Sequence, residues 1–402
     1  MIVYRAAWLL PIAAPPVGDG WVFVDAGRIR AFGSGEAPLS VVNPLTVETI
    51  DLGDAAILPG LVNAHTHLEL SWMRNQVPAS QSMPAWASQL MALRRGSTGD
   101  PAGPIVDAVR EVRAAGTSLV GDVTNTLAAY DVLGDSELSA MIFRELLGFN
   151  TPDPERLVAE VGGQLKALMP LVWLRPSIVP HAPYSVSPAL FRAIARVAGD
   201  RPISVHLGES ADELQFLRDG TGAWRELLGQ LSVWNDNWEP PQCGPVEYLD
   251  RLGLLNHRLL AVHGTHLDDG ELARLASAKG TVVTCPRSNR WTGAGVPPIE
   301  RFYASGVRVA IGTDSLASVE DLNLFAELAV VRRLAPDLPA ARILASATLD
   351  GAVALGFEKD YGSIAMGKLA DLIAVRVPRD VADVEEYLLS GIEPDAIRWL
   401  AH

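Results

Sequence analysis

The sequence holds only two cysteines, Cys243 and Cys285, in 402 residues, which excludes a disulfide framework and a thiolate metal cluster. It contains no apolar run of the ~18 residues needed to span a bilayer, so no membrane segment is expected. Basic residues are in deficit: 33 Lys and Arg stand against 47 Asp and Glu, a formal charge of −14. A chain of that sign repels phosphate backbones, which argues against a nucleic-acid polymer as partner and leaves open a single base or nucleoside in a pocket. Low-complexity tracts are absent. The opening "MIVYRAAWLLPIAAPPVGDG" has a short apolar core, but its single Arg follows apolar residues and it runs directly into "WVFVDAGRIRAFG", which alternates like a hairpin. A cytoplasmic protein is the expectation.

The length suffices for one large α/β domain and a smaller one. Residues 1–56 read as short strands separated by turns, and "GSIAMGKLADLIAVRV" near the end gives another Gly-punctuated pair of strands. Between them, apolar runs ending in polar or Gly/Pro residues alternate with helical segments such as "PAGPIVDAVREVRAAG", "SPALFRAIARVAG" and "DDGELARLASAKG". The second helix starts at Ser187 before Pro188, and Gly280 closes the third. Counting "AAILPGLVNAH" as the first, the later runs are "GTSLVGDVTNT", "SAMIFRELLGF", "VWLRPSIVPHAPYSV", "RPISVHLGES", "RLLAVHGTHL", "GTVVTCPRSN" and "GVRVAIGTDS". That count is the strand number of a (β/α)8 TIM barrel. An open doubly wound sheet is the competitor, but no Gly-rich phosphate loop follows the first strand. The expected architecture is α/β: a barrel over residues 57–357 and a small β-sandwich built from residues 1–56 and 358–402.

In such a barrel, chemistry gathers where the strands end. His65 and His67 in "NAHTHLELS" end the first strand, and their i, i+2 spacing points both to one face. His181 follows the fourth strand, His206 ends the fifth, His263 ends the sixth and Asp314 ends the eighth, so five of the eight histidines map to one rim. Buried imidazoles side by side are costly unless something holds them. Imidazoles with a carboxylate suit Zn²⁺, with Fe²⁺ or Mn²⁺ as alternatives. Glu209, three residues after His206, could serve an attacking water as general base.

"PGLVNAHTHLEL", "HAPYSVSP", "SVHLGES", "AVHGTH", "TCPRSN" and "IGTDSLAS" occur in the order seen in the amidohydrolase superfamily. They look most like its cytosine/guanine/S-adenosylhomocysteine deaminase branch, which includes the chlorotriazine hydrolases, and the resemblance covers nearly the entire chain. It implies a single metal held by His65, His67, His206 and Asp314, with Glu209 as proton shuttle, His263 with Asp314 holding the attacking water and His181 on substrate. Binuclear relatives use a fourth-strand lysine, and "VWLRPSIVPH" has none. Glu69 departs from most deaminases of this branch and is expected at a polar substrate group or as support behind the site.

Trp72 and Trp86 after the first strand are candidate walls for a flat heteroaromatic ring. Trp234 and Trp238, in the insertion "SVWNDNWEPPQCGP" that is a candidate lid, and Trp291 are further ones. Arg144, Arg287 and Asn289 are candidate contacts for polar or anionic substrate groups. The resemblance implies a hydrolytic deaminase acting on a small heterocycle. An adenine-type nucleoside such as aminodeoxyfutalosine is favoured, with guanine or cytosine-type bases, s-triazines and cyclic amides or imides as alternatives. It is also compatible with a homodimer or larger assembly.

Overall fold

The computed structural model describes residues 1–37, 47–96 and 101–401. Its strands are β1 (Ile2–Leu9), β2 (Val17–Asp25), β3 (Arg28–Ser34), β4 (Glu48–Asp51), β5 (Ala55–Pro59), β6 (Leu61–Thr66), β7 (Thr117–Thr124), β8 (Ser139–Leu146), β9 (Leu174–Pro180), β10 (Ile203–Leu207), β11 (Leu259–His263), β12 (Thr281–Thr284), β13 (Arg308–Ile311), β14 (Leu372–Arg376) and β15 (Ile397–Trp399). The eight from β6 to β13 are parallel and form two four-stranded sheets, β6–β7–β8–β9 and β10–β11–β12–β13. Their residues are almost all buried, as expected of parallel strands covered by helices on the outer face. Backbone bonds join the sheets at both seams: His206 N to His181 O at 2.9 Å, and Thr313 N and Asp314 N to His65 O at 3.1 and 3.0 Å.

The helices start and stop where their caps dictate. Ser187 accepts from Leu190 N at the head of Pro188–Val197, and Gly280 N bonds Leu275 O beyond the end of Asp269–Ser277. "CPRSN" is not the tail of a strand. The chain leaves β12 at Thr284, and Pro286 opens the helix Pro286–Thr292.

One expectation needs correction. "AAILPGLVNAH" is not one strand but two, broken at Gly60. A Cβ there would lie 2.6 Å from Ser118 Cβ and 2.9 Å from Trp399 Cη2, so only glycine passes. Upstream, β5 pairs with β1 and β14; downstream, β6 pairs with β7, which places the change of sheet at Gly60 rather than at residue 57. Among the described residues the terminal strands form one seven-stranded hydrogen-bonded sheet, ordered β15–β14–β5–β1–β2–β3 with β4 beside β1. That sheet curls over the cluster around Tyr4, Leu9, Val22, Ile57 and Leu372, and Ile29 N to Lys368 O at 2.9 Å ties its far edge back towards β14.

Candidate active site

The strand β6 delivers His65 and His67 to one side of its end, as the period of two requires. Their Nε2 atoms face each other at 3.2 Å, and Asp314 Oδ1 lies 3.6 Å from His67 Nε2 and 3.9 Å from His65 Nε2. The His206 ring stands 5.0 Å from His65 and 5.5 Å from His67, centroid to centroid. His263 joins from β11, 5.4 Å from His206. Ligand atoms of His65, His67 and Asp314, and of His65, His206 and His263, fall within 4.8 Å of one another. With the His181 ring 4.7 Å from that of His206, all five expected rim histidines converge.

Two of these positions are held in the left-handed backbone region: His263 at φ 72° and Asp314 at φ 64°. Each costs about 1–2 kcal/mol for a residue with a Cβ, and the surroundings over-determine both. Ser288 Oγ donates to Asp314 Oδ2 at 2.6 Å, and His263 Nδ1 meets Asn289 Oδ1 at 3.1 Å.

Burial dominates the electrostatics. It pushes His67, His181 and His206 down to about 3 and His65 well below its ordinary value, so all four rings are neutral at pH 7 and keep a lone pair. His206 Nδ1 lies 3.1 Å from the His181 carbonyl oxygen, which only accepts, so Nδ1 carries the hydrogen and Nε2 is the free ligand atom. Glu145 Oε1 supports the same nitrogen at 3.4 Å, and Asn125 Nδ2 donates to the other oxygen, Oε2, at 2.9 Å. Glu145, His181 and His206 also form a group that could hold an ion.

Glu209 is buried beside this cluster, with Oε1 3.5 Å from His263 Nε2 and Tyr184 Oη 3.5 Å from Oε2. Burial raises its pKa above the ordinary carboxylate value, against the pull of His263. Its backbone N–H and that of Gly208 are clamped by the two oxygens of Glu213, at 3.0 and 2.9 Å. A buried carboxyl held more readily in its protonated form, on a turn clamped by Glu213, is suited to taking and returning a proton.

A cavity of about 570 Å³ opens over the cluster, with His67, His181, His206, Glu209, His263 and Asp314 among its lining. Of the candidate substrate residues, His181 and Trp86 line it. Trp72 does not; it packs against the Leu70, Met73 and Val77 cluster beside Trp86. Glu69 is turned away, its oxygens saturated by Thr124 and Thr126 hydroxyls and the Asn125 and Thr126 N–H groups. Burial raises its pKa, but these bonds and Arg94 outweigh it and the carboxyl stays low, so Glu69 acts as support behind the cavity wall.

Arg144 gives its Nη1 to the Glu145 carbonyl and is not in the lining. Arg287 is elsewhere: Glu327 and Asp321 hold its guanidinium at 2.7 and 2.9 Å, and it does not line the cavity. Asn289 reaches His263 and Thr265, not the cavity. The insertion from Ser232 to Pro245 is packed down rather than free: Trp234 stacks on Phe149 at 5.4 Å and Trp238 on Phe216 at 4.6 Å, while Val233 faces the cavity. Trp291 gives its Nε1 to Val77 O and lies outside the cavity. The residues that sequence reasoning missed are Glu145, Asn125, Tyr184, Ser288 and Arg94. Tyr184 and Ser288 lay inside the motifs "HAPYS" and "CPRSN", whereas the other three carry no local signal.

Comparison with known proteins agrees with this geometry. The amidohydrolase family model matches residues 56–390. The chain is 29% identical to a 5-methylthioadenosine/S-adenosylhomocysteine deaminase of Moorella thermoacetica, over 98% of this chain and 92% of that protein. It is 34% identical to an aminodeoxyfutalosine deaminase of Deinococcus radiodurans, over 74% of this chain and 72% of that one. A zinc-bound adenosine deaminase from Xanthomonas campestris superposes with a TM-score of 0.82 at 28% identity, over 98% of this chain and 90% of that one. With the imidazoles, Asp314 and Glu209 gathered where the parallel strands end, the chain belongs to the amidohydrolase family.

Proposed function

We propose that this chain is a metal-dependent aminohydrolase that replaces the amino group of an adenine-type nucleoside by oxygen and releases ammonia. Aminodeoxyfutalosine is the favoured individual substrate, supported by the Deinococcus relative. The observation that carries the reading is the meeting of neutral imidazoles, Asp314 and a raised Glu209 at the floor of one cavity. We read the two four-stranded sheets as halves of one (β/α)8 barrel, with the seam bonds at His206 and Asp314 as support, and the enzyme as cytoplasmic.

The donor set fits one divalent ion. Two buried imidazoles with their Nε2 atoms 3.2 Å apart beside a carboxylate oxygen, and with His65 Nδ1 left without a hydrogen-bond partner, are costly unless something such as a cation holds them. His65, His67, His206 and Asp314 would hold it, with zinc favoured and iron or manganese as alternatives. When bound, the ion would supply Lewis-acid activation of the attacking water.

The remaining work belongs to the chain. Glu209 takes a proton from the water as its oxygen bonds to the amino-bearing ring carbon. His263, fixed by Asn289, orients that water with Asp314, and His181 steadies the ring. Glu209 then passes the proton to the amino nitrogen, the C–N bond breaks and ammonia leaves. Glu209→Gln is expected to keep the metal and lower kcat by about 10²–10⁴-fold. Measurement pairs metal content with ammonia release from a panel of aminopurines, aminopyrimidines and triazines. Near-normal turnover in that variant, or no ammonia from any adenine nucleoside, overturns the reading.

A further inference from the structure

A second cavity, of about 930 Å³, lies behind the catalytic one. The helix Pro286–Thr292 is the wall between them: Thr292 lines the catalytic cavity, while Arg290 and Trp291 line the other. The helix Leu324–Leu334 supplies a further wall through Val330, Arg333 and Leu334. Trp291 is fixed in place, since its indole N–H donates to Val77 O at 3.0 Å and its carbonyl accepts from Ser80 N at 2.9 Å.

The charged groups of this lining are of two kinds. Arg287 is held by Glu327 and Asp321 at 2.7 and 2.9 Å, whereas Arg290 and Arg333 have no hydrogen bond or ion pair among the described residues. Acids outnumber bases by 47 to 33 in this chain, yet no described acid stands within ion-pair reach of these two. Among the described lining residues Glu320 is the sole carboxylate. Arg74 takes its carbonyl oxygen at 3.0 Å, which leaves the side chain as a free acceptor.

From this we infer that the cavity is a second binding site, for a nucleoside monophosphate. Two unpartnered guanidinium groups suit the dianion of a phosphomonoester. The Glu320 carboxylate, which only accepts, suits ribose hydroxyls, and the fixed indole with Val330 and Leu334 suits a flat base. The site is also joined to the metal centre. Ser318, buried in its lining, has Oγ 2.8 Å from Ser288 Oγ, and Ser288 donates to Asp314 Oδ2 at 2.6 Å. A ligand gripped by Arg290 and Arg333 ties the two helices together and braces Ser288 against Asp314. It therefore favours the metal-loaded state, and the metal favours the ligand in return. Occupancy of this cavity does not depend on which substrate is deaminated in the other.

Uridine monophosphate, which has no ring amino group to lose, is the probe, titrated calorimetrically into the metal-loaded full chain. Uridine, ribose 5-phosphate and inorganic phosphate are the comparisons, and each is expected to bind more weakly by about tenfold or more. Arg290→Ala and Arg333→Ala should each weaken uridine monophosphate by about tenfold and leave the metal content unchanged. Metal-free protein should bind it about fivefold more weakly than metal-loaded protein, and Ser318→Ala should erase that difference while still binding. No binding, or binding untouched in both arginine variants, overturns the inference. Ribose 5-phosphate or inorganic phosphate binding as tightly reduces the cavity to an anion site and overturns the nucleoside assignment. A dimer in light scattering that Arg290→Glu splits shows a second copy filling the cavity and overturns it as well. A metal dependence that persists in Ser318→Ala overturns the link to Asp314. Deamination is read separately, by ammonia release, and stands whichever of these results is found.

Discussion

At the scale of single residues, the site is organised by what stands behind each ligand. His206 would bind through Nε2 because its Nδ1 is engaged by the His181 carbonyl and Glu145. Such a carboxylate fixes the ring and raises its basicity. Glu145→Gln should therefore weaken metal affinity by about 10–100-fold with the fold intact, read by competition with a chelator; unchanged affinity would remove Glu145 from this role. The proposed ligands and Glu209 stood out in the sequence because they sit in short motifs at strand ends, and the structure brings them together at one cavity. Their supports did not: Glu145 and Asn125 occupy different strand ends and meet only after β7 and β8 pair side by side. Arg287 failed as a substrate contact for a related reason. A helix begins at Pro286 and turns that side chain towards Glu327, a partner 40 residues away that no local pattern announces.

At the scale of elements, β6 is squeezed from both sides. A Cβ on Gly121 of β7 would lie 2.4 Å from the Ala64 carbonyl oxygen, and one on Gly312, just beyond β13, would lie 2.7 Å from His65 O and 2.8 Å from His65 Cβ. Strand glycines of this kind permit close backbone approach, and here the approach sets where His65 stands. Gly312→Ala should push the seam apart, lowering bound metal well below one equivalent at a concentration that saturates the parent enzyme. Elemental analysis with circular dichroism as the fold control decides it, and full occupancy would refute the argument. The strand and helix alternation was readable, since parallel strands are continuous apolar runs. The break at Gly60 was not, because it depends on Ser118 and Trp399 crowding that residue from distant parts of the chain.

At the scale of the whole molecule, acid stability follows from the neutral imidazoles. Burial holds His67, His181 and His206 near about 3 in the folded metal-free chain, against an ordinary 6.5. The unfolded chain thus binds more protons between those values, so their contribution is present above about pH 6.5 and lost as the pH falls towards about 3. The Tm of chelator-treated protein should drop steadily from about pH 7 to about pH 5, and bound metal should restore it by mass action; a flat profile would contradict the burial argument. The same connectedness governs the chain ends. Trp399 gives its indole N–H to Arg113 O and its strand lies against β14, which grips β5, and β5 continues through one glycine into the histidine strand. Trimming the last few residues, far away in the sequence, would thus slacken the anchor from which His65 and His67 are hung, and a shortened enzyme would be purified metal-poor before it was visibly unfolded.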